Sequence, residues 1–272
     1  MYVRNNSYSY IKKKIFLIKR YLQRIKLQRF LINRMNIINS LKKEYKSIIP
    51  LNIFQTWYTK NLPFLMSQAV NKLRMTNPRF NYYLFDDNDC REFIKNNFEL
   101  KVLNAYDSLI PGAYKADLWR YCILYKIGGV YLDIKYEPCN NFKFIYLTEK
   151  EHFVYDVNNV DIYNAFMISL PGNETLLKAI YKIVENVENN FYGNSSLEPT
   201  GPHLLSQVLT NNFRHNTDMK HKLINNDFNM RTVMYKGMPI LKSYNGYLKE
   251  SNHYKKTEHY SKLWSERHIY NK

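Results

Sequence analysis

A chain of 272 residues with 45% hydrophobic and 16% aromatic side chains has enough apolar material to bury a core, which excludes a disordered or low-complexity protein. A net charge of +17 invites a nucleic-acid reading, but residues 1–48 hold thirteen basic side chains and a single acidic one, Glu44, so most of the excess belongs to one segment. Three cysteines, Cys90, Cys122 and Cys139, cannot pair completely and lack metal-ligand spacing, which argues against a disulfide framework or a zinc site and for a reducing setting, cytoplasmic or on the cytosolic face of a membrane.

In the basic segment Ile11, Ile15, Ile18, Leu22 and Ile25 recur at steps of four and three, while Lys12, Lys13, Lys19, Arg20, Arg24 and Lys26 fill most of the remaining faces. This is the pattern of a basic amphipathic helix. Its longest apolar run, Ile15 to Ile18, is too short for a membrane span or a signal-peptide core. Such a helix either packs its stripe on the rest of the chain or makes peripheral contact with anionic lipid; the uneven charge disfavours nucleic acid. Residues 1–48 are therefore read as an extension and residues 49–272 as one domain.

The domain reads as alternating strands and helices without a repeat, an α/β fold. Leu51 to Gln55 is the first expected strand, Phe64 to Thr76 a helix, and Tyr82 to Phe85 a second strand. Asp87 to Asn97 suits a helix capped by Asp86 or Asp87. Ala113 to Lys126 carries apolar residues at helical spacing with one wide buried face, Gly128-Gly129 stop it, and Val130 to Ile134 is a short buried strand. Phe144 to Tyr146, Phe153 to Asp156 and Ala165 to Ser169 are further candidate strands. Pro171-Gly172-Asn173 launches a helix to about Val187, another runs from Pro202 to about Asn212, and Thr232 to Tyr235 and Pro239 to Ser243 close the series as strands.

The chemistry concentrates in Ala113 to Asp133. Asp117 and Arg120 are three apart and so neighbours on one helical face, which is also the spacing of an ordinary helix ion pair worth about 0.2–0.5 kcal/mol. Asp133 sits at the carboxyl end of a strand, where open α/β sheets bind ligands. Continued as a strand, residues 133, 135 and 137 share a face, so Lys135 stands beside Asp133, with Glu137 available to pair with it.

These residues carry a family resemblance. Ala116-Asp117-Leu118-Trp119-Arg120-Tyr121, followed by Gly128-Gly129-Val130-Tyr131-Leu132-Asp133-Ile134-Lys135, resembles the S/A-D-x-x-R-Y and G-G-x-Y-x-D-x-D half-motifs of the DxD sugar-binding glycosyltransferases of family 32. That family includes fungal initiating mannosyltransferases and, more distantly, the glucosylating domains of large bacterial toxins. Ile49 to Trp57 is similar to the family's I-P-x-x-I-H-Q-x-W with Phe54 in place of histidine, and Asn77-Pro78 to Asp86-Asp87, Thr200-Gly201-Pro202 and His259 to Trp264 resemble its later anchors. The one departure within the strongest motif is Lys135, where the family has a second aspartate.

The resemblance implies a GT-A type, Rossmann-like fold and transfer of a hexose from a UDP- or GDP-sugar to a glycan, lipid or protein hydroxyl, with retention of configuration. It also implies roles: Asp117, Arg120 and Tyr121 on the donor sugar; Phe54, Gln55, Trp57 and Trp264 at the nucleotide; Gly201, Pro202 and His203 on the acceptor side. Asp133, with His259 as an additional candidate, would hold Mn²⁺ or Mg²⁺, a hard cation suited to oxygen ligands and diphosphate. Lys135 puts that metal in question, because an ammonium beside Asp133 either weakens the site or contacts phosphate itself. The alternatives are a catalytically lapsed sugar-nucleotide binder and a basic membrane- or nucleic-acid-binding module on the same fold.

Overall fold

A computed structural model describes residues 46–209, 218–224, 230–254 and 256–271. The helix expected near the start of the chain lies outside these residues, and Tyr45–Lys272 forms a compact unit. In it β1 (Asn52–Thr56) pairs in parallel with both β2 (Asn81–Phe85) and β3 (Gly129–Leu132), and β3 pairs antiparallel with β6 (Phe166–Ser169), giving the order β2-β1-β3-β6. A second sheet has the order β4 (Tyr136–Pro138), β9 (Met238–Ser243), β8 (Met230–Tyr235), β7 (Met219–Ile224), β5 (Val154–Tyr155). The α/β reading holds, and the strands divide between two sheets.

Helices α1 (Phe64–Thr76) and α2 (Asp87–Asn97) match their expected bounds. Asp86 caps α2: its carboxylate accepts from the Asp89 amide at 2.9 Å, and Asp89 returns the bond at 3.1 Å. Then come α3 (Leu100–Ser108), absent from the sequence reading, and α4 (Gly112–Ile127), the motif helix. Leu118, Trp119, Tyr121, Cys122, Ile123 and Leu124 are all fully buried on α4, which is apolar nearly all round because other elements cover it. Helices α5 (Glu174–Glu188), α6 (Pro202–Val208), α7 (Tyr247–Tyr254) and α8 (Tyr260–Ser265) complete the described set. The expected extension of α6 to Asn212 lies partly outside the described residues.

Three expectations change. Phe144–Leu147 is a 3₁₀ helix and not a strand, because the Asn77 side chain accepts the Phe144 amide at 2.7 Å and removes it from any ladder. The Asp133 strand ends at Leu132. After the Asp133 amide makes a last bond to Ala165 O at 2.9 Å, the Tyr136 amide closes a turn onto Asp133 O at 3.1 Å, and the chain crosses into the second sheet. Glu137 then faces Lys72 and Lys242, each at 3.2 Å, so it does not pair with Lys135.

The stop between α4 and β3 is set by backbone. Gly129 has φ +123°, and a Cβ there would lie 2.7 Å from Asn52 O on the neighbouring strand. Gly129→Ala is expected to lower stability by more than about 1 kcal/mol, since both the backbone conformation and the space exclude a side chain. A urea midpoint that falls at unchanged slope checks this.

Candidate functional site

Parallel strands β1 and β3 end at the same edge of the sheet, so Trp57, just past β1, and Asp133, just past β3, emerge side by side. Thr56, Trp57, Asp87, Arg120, Asp133 and Lys135 line a cavity of about 390 Å³ there, within the size range of small-molecule sites. A larger depression of about 550 Å³ along β2 and α2 contains Asp89 and Glu92 but none of these residues.

At the centre is a charge cluster. Arg120 Nη1 lies 3.2 Å from Asp133 Oδ1, and Nη2 lies 3.3 Å from Asp117 Oδ1, so one guanidinium bridges the two carboxylates. Its Nε donates to Ala116 O at 3.1 Å, Nη1 donates to Asn164 O at 3.0 Å, and its plane sits 4.5 Å from the Tyr131 ring centroid. Asp133 Oδ1 also accepts from Tyr131 OH at 2.8 Å. Its other oxygen accepts from Lys135 Nζ at 2.5 Å, since the turn at 134–135 folds the lysine back onto the aspartate. Two carboxylates meet two cations, so buried charge is compensated within the cluster.

Burial opposes the charge on Asp133, but Lys135 and then Arg120 outweigh it and hold the carboxyl below its ordinary range. Burial likewise opposes the charge on Lys135, and the Asp133 carboxylate overcomes it, so the ammonium keeps its proton across neutral pH. Asp117 goes the other way. Burial raises its pKa against the pull of Arg120 and of the hydrogen bond from Thr200.

Asp117 sits behind the cavity wall, 7% exposed, its Oδ1 accepting from Asn164 Nδ2 at 2.9 Å and its Oδ2 from Thr200 Oγ1 at 2.8 Å. Tyr121 lies deeper, its hydroxyl donating to Thr200 O at 3.2 Å and accepting from Asn164 at 2.8 Å. The Thr200-Gly201-Pro202 stretch thus meets the motif helix at Asp117: a Cβ on Gly201 would come within 3.5 Å of Asp117 Oδ2. Sequence reasoning gave Asn164 no role, and no local pattern marks it; Thr200 was flagged only as part of a motif.

The remaining candidates are dispersed. Gln55 is buried, accepting from Tyr82 OH at 2.9 Å and donating to Asp133 O at 3.4 Å, so it supports the turn. Phe54 is in the core, stacked 5.4 Å from Tyr83. His203 bonds Asp161 at 2.9 Å. His259 caps α8 through Ser261, and Trp264 donates to Tyr192 O at 2.6 Å; neither lines the cavity.

A divalent cation fits this donor set poorly. Both Asp133 oxygens already face cations, Arg120 and Lys135, and among the described residues no three of His, Cys, Asp and Glu converge as a metal site. Arg120 and Lys135 are the cations that occupy these oxygens.

Residues 63–153 match the family described as glycosyltransferase sugar-binding region containing DXD motif. This region of the chain is similar to that family. It is similar to inositol phosphoceramide mannosyltransferase 3 of Schizosaccharomyces pombe, 40% identical over 86 residues, covering 32% of this chain and 24% of that protein. It also resembles the mannosyl phosphorylinositol ceramide synthase SUR1 of Saccharomyces cerevisiae, 29% identical over 133 residues, covering 49% and 34%. Among solved structures, the PaToxG glycosyltransferase aligns with TM-score 0.47 and 16% identity over 69% of this chain and 78% of that one. The matches to these two curated relatives span 24% and 34% of their lengths. Among the described residues no helix is long and apolar enough to cross a membrane.

Proposed function

We propose that this chain is a nucleotide-sugar-dependent glycosyltransferase of GT-A type that moves a hexose to a hydroxyl of a glycan, lipid or protein acceptor with retention. The observation that carries the reading is the cluster of Asp117, Arg120, Asp133 and Lys135 at the shared end of β1 and β3, beside a cavity of about 390 Å³, within or next to the matched sugar-binding region. The names of the fungal relatives, mannosyltransferases acting on a lipid, favour a hexosyl donor and a lipid or glycan acceptor.

As the anomeric C–O bond breaks, negative charge grows on the leaving diphosphate, and preorganised cations lower that barrier. Lys135 and Arg120 provide them. Asp133 holds both in place, and Asp117, behind the cavity wall, fixes the guanidinium from its other side with Asn164 and Thr200 bonded to its two oxygens. The new C–O bond forms on the same face, and the acceptor's proton passes to a departing phosphate oxygen.

The test is thermal stability with UDP, GDP and their sugars, each with Mn²⁺ and with EDTA. A ligand at 100 times its Kd adds about 2.7 kcal/mol, so one nucleotide should raise the midpoint, equally in both conditions. No shift with any nucleotide removes the reading. A catalytically lapsed binder is the second reading, favoured by the closed Asp133–Lys135 pair; it would give the shift without turnover.

The basic segment is assigned to location. A chain beginning at Lys46 should bind nucleotide like the full chain and lose association with anionic vesicles. That association should weaken with salt, as expected where charges are screened over about 8 Å at physiological ionic strength. Vesicle binding that survives the truncation refutes the assignment.

A further inference from the structure

A single reversal of the chain after β5 serves both halves of the charge cluster. The Asp156 amide donates to Asp161 O at 2.8 Å, the Tyr163 amide donates to Val154 O at 2.7 Å, and Tyr155 and Ile162 are bridged, so Tyr163 and Asn164 arrive at the site together. Asn164 takes the Arg120 side, its carbonyl accepting from the guanidinium and its amide donating to Asp117. Tyr163 takes the Lys135 side.

Lys135 is 5% exposed, and among the described residues one of its three N–H donors is bonded, to Asp133. Its Nζ lies 5.3 Å from the Tyr136 ring centroid and 5.4 Å from that of Tyr163, within cation–π distance of both. The two rings stand at 80° to each other with their hydroxyls hydrogen-bonded at 2.6 Å, which makes them the walls of a corner. That corner is braced in turn. His221 on β7 lies parallel to the Tyr163 ring, 3.8 Å away and tilted by 8°, and Asp156 holds its Nδ1 at 2.8 Å. All three rings are buried, so none swings away without opening the core. The Lys135 carbonyl is fixed as well, accepting from the Tyr244 amide at 2.9 Å.

A cation stabilises a developing charge best when it is in place beforehand, and lysine is a point charge on a flexible stem. A carboxylate fixes such a charge on one side only. Two electron-rich ring faces confine it on two more.

We propose that Tyr163, together with Tyr136, is the positioning residue for Lys135: the two rings hold the ammonium on Asp133 at the cavity, so that this chain presents a fixed lysine where the glycosyltransferases it resembles have a second aspartate. The assignment rests on the reading of Lys135 as the charge that meets the leaving diphosphate, and it names what preorganises that charge. His221 and Asp156 act one step further out, by keeping the Tyr163 ring in its plane.

The experiment compares Tyr163→Phe with the same phenylalanine carrying one, two and three ring fluorines, a series that keeps the shape of the ring while draining negative charge from its face. The probes are UDP-glucose and GDP-mannose, hydrolysed by the full chain without acceptor. The kcat should fall stepwise along the series at constant KM, because the lost interaction is one made with charge that develops in the transition state. Tyr163→Leu, which removes the ring, should be about tenfold slower than Tyr163→Phe, within the range of a desolvated cation–π contact. In a Lys135→Ala background the same substitutions should cost nothing further. A kcat that stays flat along the fluorine series, or a decline that persists without Lys135, overturns the proposal. The fluorine series preserves the packing, so it decides even where Tyr163→Leu does not fold. A further measurement needs no turnover: ring currents should shift the Lys135 Hε protons upfield of those of exposed lysines in the NMR spectrum of the lysine-labelled full chain, the signal being identified by its loss in Lys135→Ala. Failure of wild type to hydrolyse either nucleotide sugar strikes the transferase reading, and this shift then judges the corner by itself: its presence upholds the positioning of Lys135, and its absence overturns it.

Discussion

Lys135→Ala is expected to slow donor hydrolysis or transfer by about 10²–10³, the usual loss when one preorganised charge stabiliser is removed, while wild-type activity persists in EDTA. The reason is the arrangement at Asp133. Its two oxygens are divided between Arg120 and Lys135, so the place where a second carboxylate would share a metal holds an ammonium. Asp133 keeps that ammonium protonated against the cost of burial, so in wild type the charge is present throughout the neutral range. Lys135→Asp tests the same point from the other side. It sets two carboxylates at positions 133 and 135, and any activity it retains should then respond to added Mn²⁺ and be lost in EDTA. Wild-type activity abolished by EDTA, or a Lys135→Ala rate equal to wild type, would falsify the assignment and make Arg120 the next source of charge to examine.

How far this site was legible depends on how local each signal is. Glycine's freedom of backbone conformation marks the end of α4, and an acidic cap marks the start of α2, so both boundaries follow from a few neighbouring residues. Asp117 and Arg120 share a helical face by spacing alone. Lys135 was placed beside Asp133 for a reason the fold does not use. A continued strand would align them, but the chain turns and brings them together by hydrogen bonding, because Tyr136 pairs with Ser243 more than a hundred positions away. The same blindness to distant partners explains Phe144–Leu147, where an apolar run reads as a strand until the Asn77 side chain takes its first amide. Asn164 was missed outright. It joins Asp117, Arg120 and Tyr121 across the fold, and nothing in its own neighbourhood signals that.

Arg120→Met is expected to cost about 3–5 kcal/mol of stability, the scale seen when one partner of a buried ion pair is removed and the other is left uncompensated. Arg120 is 5% exposed and bridges Asp117 and Asp133, so the substitution takes a charge partner from two carboxylates at once. Lys135 still serves Asp133, whereas Asp117 keeps only the neutral donors Asn164 and Thr200. The pH dependence gives the prediction its sign. In wild type, Asp133 has a depressed pKa, so its contribution is present above the unfolded carboxyl value and is lost as pH falls through the folded one. Without Arg120 the Asp117 carboxyl, already raised by burial, shifts further upward, while Asp133 keeps Lys135. At Asp117 the native state then binds a proton more readily than the unfolded chain, and stability falls as pH rises through its range. The gap between wild type and Arg120→Met should therefore be widest at neutral pH and narrow toward pH 4, as read from urea midpoints at each pH. Adding Asp117→Asn to Arg120→Met should recover part of the loss, giving a favourable coupling of about 0.5–3 kcal/mol between two residues in contact. A pH-independent gap with no recovery in the double variant would mean that Arg120 contributes through its contact with the Tyr131 ring and not through its pairing with the carboxylates.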